Sequence, residues 1–401
     1  MDFDFSDEQY SFRDSIRGFL ARRSAPSGPG IPAPWGPREE TLWAGLADLG
    51  IFSVLVPERH GGLGLSFVDL SLVLEEFGRA LLPPLIMETL VATDVIARFG
   101  SDEQKSTMLP LIAGGRLKLS CALAESGGYD PADMSTGVES TAAGERLKGA
   151  KILVPDAAAA DVLVVAARLG GKRTALLLLE RGREGVQLRE QRTLDLLSAY
   201  DEATFTNVVI HSADVLGGVA SVDGVQRLWD AGAVSAATFM TGITGKVLET
   251  SVDYVKQRHQ FGKPIGSFQA IKHKCADMAV AIESSRSAAY YAAWSLASDA
   301  PERPKAVSIA KSFCGDTSRL VCNEGIQLHG GMGFTWDLGL HHYLRRAKVL
   351  EYSYGDATYH RQRVLSAALL ELSTAQRAAD DSSDRSGRRA LPGVALSARP
   401  E

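Results

Sequence analysis

The chain has 401 residues, 45% of them hydrophobic, which is enough for two or three domains around a large buried core. A formal net charge of -5, with no dense basic run, excludes a nucleic-acid footprint. No apolar run approaches the roughly 20 residues of a membrane helix. The start, Met1-Asp-Phe-Asp-Phe-Ser, lacks the basic-then-apolar pattern of a signal peptide, so a soluble, cytoplasmic protein is expected. Cys121, Cys275, Cys314 and Cys322 show no zinc or redox spacing and are expected to be reduced core residues.

The first helix is expected to start at Ser6, an N-cap with Gln9 in the capping-box position, and to carry Phe12, Ile16, Phe19 and Leu20. A Pro/Gly/Ser-rich stretch over 24–37 reads as a surface loop. Helical periodicity returns at 42–49, 67–77, 89–99 and 101–112. From about Lys118 to Val215, short Val-, Leu- and Thr-rich runs alternate with Gly and Asp, which predicts a small all-β unit. From about Ala220 to Leu372, four long helices are expected. They are broken at Phe261-Gly-Lys-Pro, at 298–304 and at His329-Gly-Gly-Met-Gly, as in an antiparallel bundle. The expected domains are 1–118, helical; 119–219, β; and 220–372, a helical bundle. A disordered tail is expected over 373–401, rich in Ser, Arg and Asp.

Two apparent motifs fail on physical grounds. Gly242-Ile-Thr-Gly-Lys is too short for a phosphate loop and lies inside a helical pattern, so a packing role is expected. The adjacent His341 and His342 cannot both point to one side of a helix, which argues against a metal pair. No nucleophile elbow or Ser-His-Asp arrangement occurs.

Two segments are less ordinary. Arg258-His-Gln-Phe-Gly-Lys-Pro ends one long helix, with Gly262 suited to a helix stop and Arg258 and Gln260 able to hold an anion at the corner. Gln327-Leu-His-Gly-Gly-Met-Gly-Phe334 lets backbone N–H groups approach a ligand closely. Either alone reads equally as a helix turn. Together, and with Ala47-Asp-Leu-Gly-Ile-Phe-Ser-Val-Leu-Val-Pro-Glu-Arg-His-Gly-Gly, Cys121-Ala-Leu-Ala-Glu-Ser-Gly-Gly-Tyr-Asp and Tyr343-Leu-Arg-Arg-Ala-Lys, they resemble the acyl-CoA dehydrogenase family to about Leu372.

The resemblance implies an α+β fold: an N-terminal helical domain, a β-barrel-like middle domain and a C-terminal four-helix bundle. It implies FAD, a tetramer, an acyl-CoA thioester substrate and electron-transfer flavoprotein as the acceptor. It places Arg258, Gln260 and Phe261 with Gln327, Gly330 and Gly331 against FAD, serving a neighbouring subunit's cofactor. It also sets Ala124 and Ser126 on the flavin strand, where the family has threonine and proline.

The family's usual base is a glutamate in a Tyr-Glu-Gly-Thr segment. Here Tyr354 falls at that Glu and Asp356 at that Thr, while Gly232 falls at the second known base position. Tyr354 is a poor base, because a phenol has an ordinary pKa near 10. Asp356 and Asp230 are the remaining carboxylate candidates. Tyr129 also replaces a small residue on the flavin strand, and the segment from Pro155 lacks the tryptophan that often covers the flavin.

Two functions remain open at this point. One is a homotetrameric FAD-dependent acyl-CoA dehydrogenase with an atypical base. The other is a partner subunit that completes the FAD site of a heterotetrameric enzyme, as in two-gene bacterial enzymes acting on steroid side chains. A desulfinase-like branch with altered chemistry is a third alternative.

Overall fold

The capping pattern at the start of the chain is realised in detail. Ser6 Oγ accepts from the Gln9 backbone N–H at 3.3 Å, and the Gln9 side chain accepts from the Ser6 N–H at 2.8 Å. This opens α1 (Asp7–Ala21) in the computed structural model, which describes residues 5–22, 35–126, 128, 131–142, 144–170, 173–219 and 221–387. Most of the expected loop before Pro37 lies outside the described residues. Four more helices complete the first domain: α2 (Pro37–Asp48), α3 (Phe67–Ala80), α4 (Pro84–Phe99) and α5 (Asp102–Ala113). Helix α4 is buried on nearly all sides, as its run of Leu, Ile, Met, Val and Ala requires.

The middle region is a seven-stranded sheet in the order β1-β4-β2-β3-β7-β6, with β5 pairing β4. The strands are β1 (Leu119–Ala122), β2 (Gly137–Thr141), β3 (Gly144–Pro155), β4 (Val162–Leu169), β5 (Thr174–Glu180), β6 (Val186–Gln191) and β7 (Tyr200–Val209). Strand β4 lies between parallel β1 and antiparallel β5, so its Val-Leu-Val-Val-Ala run is buried on both faces.

The bundle comprises α6 (Val222–Gln257), α7 (Gln269–Ala297), α8 (Arg303–His329), α9 (Leu340–Tyr352) and α10 (Ala357–Gly387). A two-residue ladder, β8 (His259–Gln260) with β9 (Lys263–Pro264), joins α6 to α7. The fourth expected helix is divided into α9 and α10 by a turn at Tyr354-Gly355, where φ is +59° and +103°. Helix α10 continues past residue 373 to Gly387, into the expected tail; residues 388–401 lie outside the described residues.

Gly242 has the packing role expected of it. A Cβ there would lie 1.9 Å from the Glu75 carbonyl oxygen, and one on Gly78 would lie 1.9 Å from that of Phe239, so α3 and α6 cross backbone to backbone. His341 and His342 pack against Trp336, and no metal-binding cluster occurs among the described residues. Two buried arginines lock the domains together. Arg227 of α6 forks onto Asp94 of α4 at 2.7 and 2.9 Å. Arg346 of α9 donates to the Leu82 carbonyl and to Asp195 and Ser198 of the sheet domain. Arg346 thus pins the bundle to the sheet beside the seam that holds the cavity described next.

Candidate active site between sheet and bundle

The cavity has a volume of about 430 Å³ and is lined by α4, the ends of β1, β3 and β7, the segment after β6, α6 and α9. Leu123, Ala124, Ile152, Leu153 and Pro155 form its sheet side; Trp229, Val349 and Tyr354 form its bundle side. Most of this wall is apolar, so a charge inside it is poorly solvated.

Tyr354 stands at the centre of the bundle wall. Its ring lies against Gly232 so closely that a Cβ there would sit 2.0 Å from Tyr354 Cε1. The two positions where the resemblance sets a base are therefore neighbours in space, and the phenol occupies the room of both. A bulky residue at φ +59° is strained and needs surroundings that hold it. Trp229 Nε1 donates to the Tyr354 carbonyl at 2.9 Å, and His360 Nε2 lies 3.1 Å from the same oxygen. Lys311 Nζ donates to the carbonyls of Glu351 and Gly355, each at 2.9 Å. Complete burial lowers the Lys311 ammonium to about 7.

The Tyr354 hydroxyl donates to Glu88 Oε1. Glu88 is 1% exposed, lines the cavity, and its Oε2 has no hydrogen-bond partner. Burial raises its carboxyl to about 7, against opposing hydrogen bonds from Tyr354 and, more weakly, from Cys121. Burial likewise pushes the Cys121 thiol and the Tyr354 and Tyr200 phenols well above their ordinary values, so all three are neutral around it. Sequence reasoning missed Glu88 because the helix was expected to begin at Thr89, one residue too late. The available signal was a single carboxylate inside a run that is otherwise apolar on every side, directly after Pro83-Pro84.

The other carboxylates named from the sequence lie elsewhere. Asp230 is fully buried, but its oxygens accept from Arg303 at 3.2 Å and from Arg363 and Gln226 at 3.0 Å. Asp356 accepts from the Tyr359 backbone N–H at 2.8 Å and starts α10. Neither lines the cavity. Ala124 does line it, whereas Ser126 is exposed and Tyr129 lies outside the described residues. Half-exposed Leu153, on β3 just before the segment from Pro155, lines the cavity with Pro155 itself. Beyond Ala124, Lys151 Nζ reaches Glu125 at 2.7 Å and the Leu123 carbonyl at 3.1 Å. Although burial opposes ionisation of Glu125, the bonds from Lys151 and Ser135 bring its carboxyl down to about 2.

The six remaining residues form a separate corner. Arg258, Gln260 and Phe261 sit on the β8–β9 turn, with Phe261 91% exposed. Gln327, Gly330 and Gly331 sit at the end of α8. The two segments meet because Tyr254, one turn before Arg258, stacks on His329 with ring centroids 4.3 Å apart. The Arg258 guanidinium has no partner among the described residues, and a Cβ on Gly262, Gly330 or Gly331 would meet no atom within 4 Å. An unpaired cation, open glycine backbone and an exposed aromatic ring suit a nucleotide diphosphate, so these residues fit FAD.

Comparison with known proteins agrees with this architecture. The acyl-CoA dehydrogenase N-terminal domain matches residues 6–116, and the C-terminal domain matches residues 225–370. An acyl-CoA dehydrogenase of Bacillus subtilis is 30% identical over 86% of this chain and 93% of its own. The acyl-CoA dehydrogenase FadE34 of Mycobacterium tuberculosis is 34% identical over 85% of this chain but only 45% of its own length. Among solved structures, a chain of the ChsE4–ChsE5 complex of Mycobacterium tuberculosis superposes with a TM-score of 0.81. It is 25% identical, with 92% of this chain and 99% of that one covered. The chain belongs to the acyl-CoA dehydrogenase family, whose members are oxidoreductases. No helix among the described residues is long and apolar enough to cross a membrane.

Proposed function

We propose that this chain carries out FAD-dependent α,β-dehydrogenation of an acyl-CoA thioester in the cavity between sheet and bundle. The observation that carries this reading is that Tyr354, where the resemblance sets the family's usual base, lines one largely apolar cavity of about 430 Å³ and packs against Gly232, where it sets the second. A desolvated pocket of this kind strengthens every electrostatic interaction with the thioester and keeps water from the reacting carbons. Arg258, Gln260, Phe261, Gln327, Gly330 and Gly331 would hold the FAD of an adjoining subunit, and Ala124, Leu153 and Pro155 would face the flavin ring of this chain. Bound flavin supplies the two-electron acceptor for the β-hydrogen. Oligomerisation follows from the division of these contacts between two places on one chain. Electron-transfer flavoprotein, the family's usual acceptor, is the acceptor proposed here.

A second reading is favoured by the Tyr354 side chain itself. A phenol pinned in the base slot also describes a partner subunit that lends the Arg258 corner to a catalytic sister chain. The solved ChsE4–ChsE5 structure, a chain of which has this fold, is a complex, which supports that arrangement. The test is flavin content per chain in protein expressed alone, followed by anaerobic mixing with a panel of acyl-CoA thioesters. Near-stoichiometric FAD that bleaches on mixing supports the dehydrogenase. Folded protein with little FAD, which gains flavin only with a sister chain, supports the partner subunit.

A further inference from the structure

We propose that Glu88 is the group that takes the substrate's α-proton, and that Tyr354 is the residue that positions it. The inference rests on the dehydrogenase reading above and assigns that reading its missing base.

Structural stability alone does not account for Glu88. A carboxylate at 1% exposure normally has both oxygens satisfied or a cation beside it. Glu88 has no cation beside it: Tyr354 donates to Oε1, Cys121 gives the carboxyl only weak further support, and Oε2 has no partner of hydrogen-bonding geometry. The cations that line the same cavity do not reach it. Lys348 is held by Glu351 at 2.7 Å, and Arg192 makes no bond to Glu88. Every titratable group packed around the carboxylate, namely Cys121 on β1, Tyr200 on β7 and Tyr354 after α9, is a neutral acid. A carboxylate in the wall of an apolar cavity, with one oxygen left unpaired, is a proton acceptor in waiting.

The surroundings also hold that oxygen in place. The first turn of α4 is tied to the sheet domain: the Leu85 N–H donates to Asp156 Oδ2 at 3.1 Å, Thr89 Oγ1 donates to the Leu119 carbonyl at 3.1 Å, and the Leu119 N–H donates back to Thr89 Oγ1 at 3.0 Å. From the other side the Tyr354 ring is fixed by Gly232, and its carbonyl by Trp229 and His360. The phenol therefore engages Oε1 from a fixed direction, and Oε2 is left unpaired. The left-handed backbone at Tyr354 is strain spent on this arrangement.

In the step, the Cα–H bond of the thioester breaks and an O–H bond forms at Glu88 Oε2. The electron pair of the broken bond enters the new Cα=Cβ bond as the β-hydrogen leaves with its own pair to the two-electron acceptor. The proton stays on Glu88 until product leaves. The phenol, already donating to Oε1, is not consumed.

The test uses the full-length, FAD-loaded protein. Glu88→Gln should slow flavin bleaching by acyl-CoA, and exchange of the α-hydrogen in heavy water, by at least about 100-fold with flavin content unchanged. Glu88→Asp should recover part of the rate. Tyr354→Phe should keep the reaction but move the acid limb of its pH profile upward, because it removes a hydrogen bond that favours the carboxylate. Independently of turnover, infrared difference spectra should show, beside the buried Asp156 signal common to both proteins, a carboxylic acid band that titrates in the parent and is missing from Glu88→Gln. A Glu88→Gln protein that bleaches as fast as the parent, or keeps the band, overturns the assignment and leaves the dehydrogenase reading standing. A flavin-loaded parent that no acyl-CoA reduces overturns both.

Discussion

Gly232 and Tyr354 share one space: a Cβ on the first would lie 2.0 Å from Cε1 of the second. Glycine at 232 is thus a condition for a tyrosine at 354. Gly232→Ala should destabilise the fold by about 1–3 kcal/mol through overpacking. Tyr354→Ala removes the clashing ring, so the double variant should lose clearly less than the two single losses together. Urea denaturation of all four proteins measures this coupling, expected at about 0.5–3 kcal/mol. Strict additivity would show that the ring moves freely out of the way.

The Glu88 carboxyl has a pH signature in stability. Its folded value of about 7 exceeds the ordinary 4.5, so the folded state holds the proton more tightly than the unfolded chain. Below 4.5 both states are protonated and the group is neutral towards stability. Between 4.5 and 7 only the unfolded chain ionises, and stability falls as pH rises, by about 3 kcal/mol in total. Above 7 the cost is constant. Glu88→Gln should abolish this component, gaining on the parent as pH rises through that window. Equilibrium unfolding of both proteins at a series of pH values checks the sign, since Lys311 and Asp156 titrate equally in each.

Asp230 and Asp356 should separate stability from chemistry. Asp230→Asn leaves Arg303 and Arg363 without their carboxylate; both arginines are partly solvated, so the loss should be about 3 kcal/mol, the low end for a broken buried pair. Asp356→Asn keeps an oxygen for the Tyr359 N–H and should cost under about 1 kcal/mol. Neither change should alter the rate of flavin reduction per bound flavin. Stopped-flow bleaching is the measurement, and a large loss of rate in Asp356→Asn would return that residue to the reaction.

The fold was readable where local chemistry decides it. Ser6 and Gln9 announce α1, the Val-Leu-Val-Val-Ala run announces a strand buried on both faces, and Gly242 inside a helical pattern marks a close crossing. The resemblance sets the two base positions at Tyr354 and Gly232, but that they touch was not legible in the sequence. Glu88 could not be located in this way. Its significance depends on a hydrogen bond to a residue 266 positions away and on burial by the sheet, and neither leaves a periodic trace. Asp230 shows the converse: a carboxylate next to the right position in sequence, but neutralised by arginines from α8 and α10. The break between α9 and α10 was missed because a tyrosine, not only a glycine, takes the left-handed turn there.

The corner at Arg258 gives the sharpest separation of binding from folding. Its guanidinium has no partner among the described residues and its neighbours Gln260 and Phe261 are exposed, so this chain gains little stability from it. Arg258→Ala should therefore change the unfolding free energy of the apoprotein by no more than about 0.5 kcal/mol. The same change removes a charge-assisted bond to a diphosphate, of about 1.5–3 kcal/mol, which corresponds to weakening FAD roughly 10- to 150-fold. Arg258→Lys should restore only part of this, because an ammonium cannot fork across two oxygens. Fluorescence titration of FAD into apoprotein, with size-exclusion chromatography to follow assembly, tests it. Loss of affinity only when the substituted chain neighbours the flavin-bearing one, in mixed oligomers of tagged parent and variant, would show that the corner acts across the subunit boundary. Loss confined to the flavin of the substituted chain would place the diphosphate within one subunit.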